Sequence, residues 1–219
     1  IRKAIQFLLG SNLSEVLSIF TATILGFTIL KPVHLLFINL VTDSIPALAL
    51  GLERPERDIM QRKPRSSKEG VFAGGMGFDV FYQGVLVTAL TLAAFFIGEF
   101  FETGHWQFTN IENCEAGMTM AFLTMSMCEI FHSFNMRSQR GSAVAMVFKG
   151  HHNIALYGAM IGSFLLTTAV VEVDVLSNLF GFAHLDGTAY AISLGLSFLI
   201  IPIVEIIKVF QRKFGKKEN

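Results

Sequence analysis

The sequence predicts an all-α membrane protein, a six-helix transmembrane bundle with both termini cytoplasmic. Three observations carry this. Of the 219 residues 52% are hydrophobic and 16% charged, with a mean hydropathy of +0.55, whereas soluble domains carry about 25% charged residues. Six apolar runs are each near the roughly 20 residues that a spanning helix needs. The 17 basic residues also fall almost entirely on one side of the runs.

The runs are residues 5–30, 33–52, 76–98, 116–135, 153–171 and 188–210. Lys31 and Pro32 separate the first two, so these should form a tight antiparallel hairpin. The segment from Glu53 to Gly70 is charged and proline-marked and reads as an ordered polar loop. Gly74, Gly75 and Gly77 lead into the third run; no strand precedes them and no Lys-Ser/Thr follows, so they are not a phosphate-binding loop. The third, fifth and sixth runs are plain spans, while the first, second and fourth contain polar residues.

Arg2 and Lys3 precede the first span. Arg54, Arg57, Arg62, Lys63, Arg65 and Lys68 follow the second; Arg137, Arg140 and Lys149 follow the fourth; Lys208, Arg212, Lys213, Lys216 and Lys217 close the chain. Lys31 alone lies on the other side, among loops that carry Glu99, Glu102, Glu112, Glu115, Glu172, Asp174 and Asp186. The positive-inside rule makes the basic side cytoplasmic. With no basic surplus, a nucleic-acid partner is excluded; the lipid bilayer is the expected partner. Cys114 and Cys128 cannot make a disulfide framework or metal cluster, and Met118, Met120, Met125 and Met127 read as packing. The chain begins at Ile1, directly in helical pattern, and is expected to be a piece of something larger.

Ionisable groups at bilayer depth cost a few kcal/mol or more each, so those present call for a role. Asn12 and Glu15 are three residues apart in the first span; Asn39, Thr42 and Asp43 follow at offsets of three and four in the second. Pro46 cannot donate to the carbonyl of Thr42, which predicts a distorted helix with free backbone oxygen beside Asp43. Two carboxylates, two amides, a hydroxyl and carbonyls are hard donors, suited to Ca2+ or a similar cation and not to zinc or copper. In a competing account these groups merely hydrogen-bond to join two helices. Two acids with no Lys or Arg in their spans make poor glue, because like charges repel unless protonated or bridged by a cation. Ser126 and Glu129 could reach the same cavity, but Glu129, near His132 and Arg137, reads as an interfacial structural residue. Glu205 and Lys208 read as a snorkelling pair.

The stretches Ser11 to Val16, Asn39 to Gly51 and Asp58 to Arg65 resemble the last six transmembrane helices of P-type Ca2+-ATPases, the group containing the sarcoplasmic reticulum pump and its bacterial relatives. The resemblance is strong to about Arg65 and rests mostly on topology beyond it. It implies cation ligation by Asn12 and Glu15 on the family's fifth helix, and by Asn39, Thr42 and Asp43 on its sixth. It further implies Ca2+ as the transported ion and a bacterial plasma membrane. Loop 53–70 would contact the phosphorylation domain. Ser126 aligns where two-site members carry a carboxylate in the eighth helix, which implies one Ca2+ per cycle, with Ser126 a further candidate ligand and Glu129, one turn on, able to compensate. The Asp-Lys-Thr-Gly phosphorylation motif does not occur, so ATP and Mg2+ would belong to other domains of the parent, as would its first four helices. Two other classes compete with this reading: a stand-alone, ATP-independent cation channel or exchanger, and a non-transporting assembly module.

Overall fold

The architecture follows from one helix, α5 (Glu115–Asn135), which packs against nearly every other element: α1 (Arg2–Leu25), α3 (Ser44–Gly51), α4 (Met76–Thr103), α7 (Ile154–Glu172), α9 (Gly187–Phe198) and α10 (Ile200–Phe214). Short helices α2 (Pro32–Phe37), α6 (Ala143–Phe148) and α8 (Asp174–Phe180) complete the set. The structure is a computed structural model that describes residues 1–53, 70, 72 and 74–214, with Phe214 described by its backbone. Apart from Glu53 and Gly70, the expected polar loop lies outside the described residues. Among the described residues there is no strand.

Among the described residues five helices are long and apolar enough to cross a membrane: Arg2–Leu25, Pro32–Gly51, Met76–Thr103, Ile154–Glu172 and Gly187–Lys213. They coincide with five of the six expected spans. The remaining expected span is α5, 21 residues long but rich in Thr, Ser, Glu and His. Its polarity is tolerable because the other helices sheathe it: all of its residues are buried except Glu115, Ala116, Phe131 and Phe134. Hydrophobic patterning therefore separates lipid-facing helices from the one that faces protein.

The first helix ends at Leu25 and not at Leu30 as expected, because Gly26 turns left-handed (φ 81°) and its amide bonds back to Ala22 and Thr23. The connection is thus longer than the tight turn expected at Lys31-Pro32. It is held by His34, fully buried, whose Nδ1 accepts from the Lys31 amide (3.1 Å) while Nε2 donates to the Phe180 carbonyl (2.8 Å). Gly181 caps α8 beside it. Between α9 and α10 the chain breaks at Leu199, since Pro202 has no N–H for the carbonyl of Phe198.

The polar contacts of the termini and loops sort into two ends. Lys3, Glu53, Gly74, Asp79, Arg137, Arg140, His151 and Arg212 are joined at one end, which the charge count predicts to be cytoplasmic. Lys31, His34, Phe180 and Gly181 meet at the other. Lys208 departs from the snorkelling expected of it. It is 1% exposed, donates to the Asn135 carbonyl and sits 3.7 Å from Glu205, so the pair exists but Lys208 turns inward. Cys114 caps α5 by accepting from the Gly117 amide, and burial pushes its thiol up to about 12.

Helices α4 and α5 meet backbone to backbone. A Cβ on Gly98 would lie 2.6 Å from the Cα of Gly117, and one on Gly117 would lie 2.8 Å from the Phe95 carbonyl oxygen. Small residues permit this approach, the usual device for packing helices in lipid. Replacing Gly98 by Val should cost about 1–3 kcal/mol, the range for overpacking a tight contact. Thermal unfolding in detergent should show a lowered midpoint for Gly98→Val and little change for Gly158→Val, whose Cβ would meet nothing within 4 Å.

Candidate metal centre

The site is built where the second apolar helix loses its regular winding. Between α2 and α3, residues Ile38–Asp43 form a wider π-helical turn, in which the Ser44 amide bonds to the Asn39 carbonyl five residues back. The Ser44 hydroxyl donates to the same carbonyl (2.7 Å), and the Asn39 amide donates to the Leu35 carbonyl (2.9 Å). Pro46 follows within three residues and offers no N–H to Thr42, the distortion the sequence predicts, here taking the form of a π-turn. The turn also leaves the Val41 carbonyl to be met from α7, by the Ser163 hydroxyl at 2.9 Å. These local bonds set the angles at which Asn39, Thr42 and Asp43 leave the helix.

Glu15 of α1, Asp43 of the π-turn and Glu129 of α5 converge, with one carboxylate oxygen from each within 4.8 Å of the others. All three are buried, at 7%, 1% and 1% exposure. Both Glu15 oxygens accept from the Asn39 Nδ2 (2.9 Å each). Ser11 Oγ lies 2.6 Å from Asp43 Oδ1 and 2.6 Å from Glu129 Oε1, bridging the two acids. Thr42 Oγ1 lies 2.7 Å from Glu129 Oε2 and 3.0 Å from the Ile38 carbonyl. Asp43 Oδ2 is buried with no hydrogen-bond partner. No Lys or Arg occurs between Ala4 and Leu30, between Pro32 and Glu53 or between Cys114 and Met136, so these helix segments supply no positive charge to the cluster.

The hydrogen bonds count protons. Each hydroxyl has one proton to donate, yet Ser11 and Thr42 each touch two acceptor groups, making four contacts for two hydroxyl protons. Protons on Asp43 and Glu129 complete the chain: Asp43 donates to Ser11, Ser11 to Glu129, Glu129 to Thr42, and Thr42 to the Ile38 carbonyl. The alternative neutraliser is a cation among the same oxygens. Three carboxylates and two hydroxyls are an oxygen-only donor set of the kind hard divalent ions take.

The expected ligands divide accordingly. Glu15, Asn39, Thr42 and Asp43 are brought together. Asn12 is not: it is exposed and donates to the Leu8 carbonyl of its own helix (2.8 Å), on a face shared with the exposed Val16, Phe20 and Ile24. Ser126 is fully buried, but its hydroxyl bonds to none of the cluster and has no hydrogen-bond partner. Glu129 corrects the interfacial role read for it, because α5 runs through the centre of the bundle and presents this residue to Ser11 and Thr42. Ser11 was legible only as the residue one full turn before Glu15, at the offset of four that lies closest to the same face.

Similarity to known proteins bears on this geometry. The family described as "Cation transporting ATPase, C-terminus" matches residues 27–210. A calcium-transporting ATPase 1 of Bacillus cereus is 35% identical over 224 residues, covering 97% of this chain and 24% of that protein. A calcium-transporting ATPase of Bacillus subtilis is 36% identical over 198 residues, covering 90% of this chain and 21% of that protein. An endoplasmic reticulum-type calcium-transporting ATPase 3 of Arabidopsis thaliana is 31% identical over 236 residues, covering 99% and 23%. The chain thus spans less than a quarter of the length of these relatives.

Removing the α5 carboxylate tests the cluster as a unit. If the three carboxylates share a divalent cation, Glu129→Gln should weaken its equilibrium binding by about tenfold or more, on the scale set by residues that hold or orient metal ligands. Glu102→Gln, an exposed acid that bonds the Ala116 amide, should leave binding unchanged.

Proposed function

The chain belongs to the cation-transporting ATPase C-terminal family, and from that premise we propose that it is the ion-binding and translocating part of a P-type Ca2+-transporting ATPase. The observation that carries the reading is the buried triad Glu15, Asp43 and Glu129, drawn from three helices with no basic partner bonded to it among the described residues. Relatives named as calcium-transporting ATPases over this same region favour a pump over a stand-alone channel or exchanger.

In this proposal residues 1–219 form one transmembrane unit of six spans, with α5 as the protein-sheathed fourth and the end that holds Arg137 and Arg140 facing the cytoplasm of a bacterial plasma membrane. Glu15, Asn39, Thr42, Asp43 and Glu129 supply the ligands for one Ca2+ per cycle. Glu129 takes the part of the carboxylate absent at Ser126. Asn12 joins from the exposed face of α1, which the parent's first four helices would cover. ATP, Mg2+ and the phosphorylated aspartate belong to the rest of the protein, which reaches this unit through loop 53–70.

The chain's own residues then do three things. The three carboxylates bind the cation and, when it leaves, take protons in its place, as the Ser11 and Thr42 hydrogen-bond chain already accommodates. The π-turn sets where Thr42 and Asp43 sit, so winding or unwinding it changes the ligand distances. The apolar sheath excludes water, which strengthens the attraction between cation and carboxylate.

Asp43→Asn in the complete protein tests the assignment. Apparent Ca2+ affinity of ATP hydrolysis should fall by about 100-fold or more, since even residues that only orient a metal's ligands are worth about 10–100-fold. Unchanged Ca2+ affinity and turnover would sink it.

A further inference from the structure

Among the described residues Arg137 is the largest fully buried side chain, at 0% exposure, and no part of the cation site uses it. It sits two residues beyond the end of α5. Its Nε and Nη2 form a fork on Glu53, at 3.2 and 3.3 Å to the two carboxylate oxygens. Nη1 donates to the Tyr157 hydroxyl (2.9 Å), and Nη2 also donates to the His151 carbonyl. The guanidinium lies 5.5 Å from the Tyr157 ring centroid. Glu53 is held from a second direction by Asn153, whose Nδ2 donates to it (2.9 Å) and to the Ala49 carbonyl of α3 (3.1 Å), while its Oδ1 caps α7 through the Leu156 amide. A charge buried this fully is retained at a cost unless its partners are fixed, and every contact here is to a fixed group.

The pair joins two of the three helices that the metal centre joins. Thr42 and Glu129 link the second helix to α5 at the level of the carboxylates. Eight residues beyond Glu129 and just past the end of α5, about 12 Å at 1.5 Å per residue, Arg137 grips Glu53, which lies eleven residues, about 16 Å, beyond Thr42. The helices run parallel and are clamped at two heights. Rotating or sliding α3 against α5 must break one clamp or be absorbed between them.

We propose that Arg137, through Glu53, is a positioning residue for the cation site: the ion pair fixes the height and rotation of α3 against α5, and so holds Asp43 at the distance from Glu129 that a shared cation requires. The inference rests on the reading of the site as a Ca2+ site.

The test uses the complete protein and two separable readouts, Ca2+ activation of ATP hydrolysis and phosphorylation by inorganic phosphate without Ca2+. Arg137→Gln should raise the Ca2+ concentration for half-activation about tenfold, the scale for residues that orient metal ligands. Maximal turnover and phosphorylation from phosphate should stay within about twofold. Glu53→Gln, nearly isosteric, should shift half-activation in the same direction, and Arg137→Lys, which keeps the charge but not the fork, should fall between. Reduced turnover with unchanged half-activation would overturn the proposal, as would full phosphorylation with wild-type Ca2+ dependence. If Arg137→Gln does not accumulate, Glu53→Gln and Arg137→Lys decide. Failure of all three to accumulate also counts against it, because it makes the pair a folding requirement. A wild-type protein with no Ca2+ activation would instead refute the Ca2+ reading itself.

Discussion

Three carboxylates meet inside an apolar bundle with no positive side chain bonded to them among the described residues, and that uncompensated charge is the constraint on which the rest of the structure depends. A single ionised group at this depth is already costly, and three within 4.8 Å cannot all ionise unaided. Protons or a hard cation must share the site. The same oxygens serve both, because Ser11 and Thr42 link Asp43 and Glu129 into a chain that carboxyl protons complete.

The surrounding structure keeps this arrangement and gives it one place to change. Helices α4 and α5 are locked by the contact of Gly98 with Gly117, which makes α5 a stiff reference for Glu129. The second helix is the opposite: its π-turn has irregular bonding, its side chains bond to their own backbone, and α7 takes up a freed carbonyl. A rigid carboxylate thus faces a deformable one. The Arg137–Glu53 pair at the end of these helices limits how far the deformable partner travels.

Much of this was legible in the residues. Spans appeared where apolar runs reached the needed length, and Glu15, Asn39, Thr42 and Asp43 were visible because such groups are expensive at bilayer depth. The distortion before Pro46 followed from its missing N–H. What was not legible depended on rotation about helix axes and on which helix sits at the centre. Asn12 and Ser11 lie on either side of the Glu15 direction, and only packing against the second helix and α5 turns Ser11 inward. Glu129 looked interfacial because residues near it are basic, yet other helices sheathe α5 over most of its length, and Asn135 and Arg137 at the end nearest Glu129 are buried too. Arg137 was grouped with the basic residues of a cytoplasmic loop and Lys208 read as snorkelling, since a charge count by loop cannot see that Glu53 or the Asn135 carbonyl awaits them within the bundle.

The central claim is that Glu15, Asp43 and Glu129 enclose one cation. Anomalous diffraction from crystals of the complete protein grown with Mn2+ in place of Ca2+ tests it most directly, because it locates the ion without reference to activity. The account predicts a single strong peak between the three carboxylates, with at least one oxygen of each in its coordination shell at about 2.0–2.6 Å, as hard divalent ions bind. A peak coordinated by Glu15 and Asp43 with Glu129 turned away, or no peak among these helices, would contradict it.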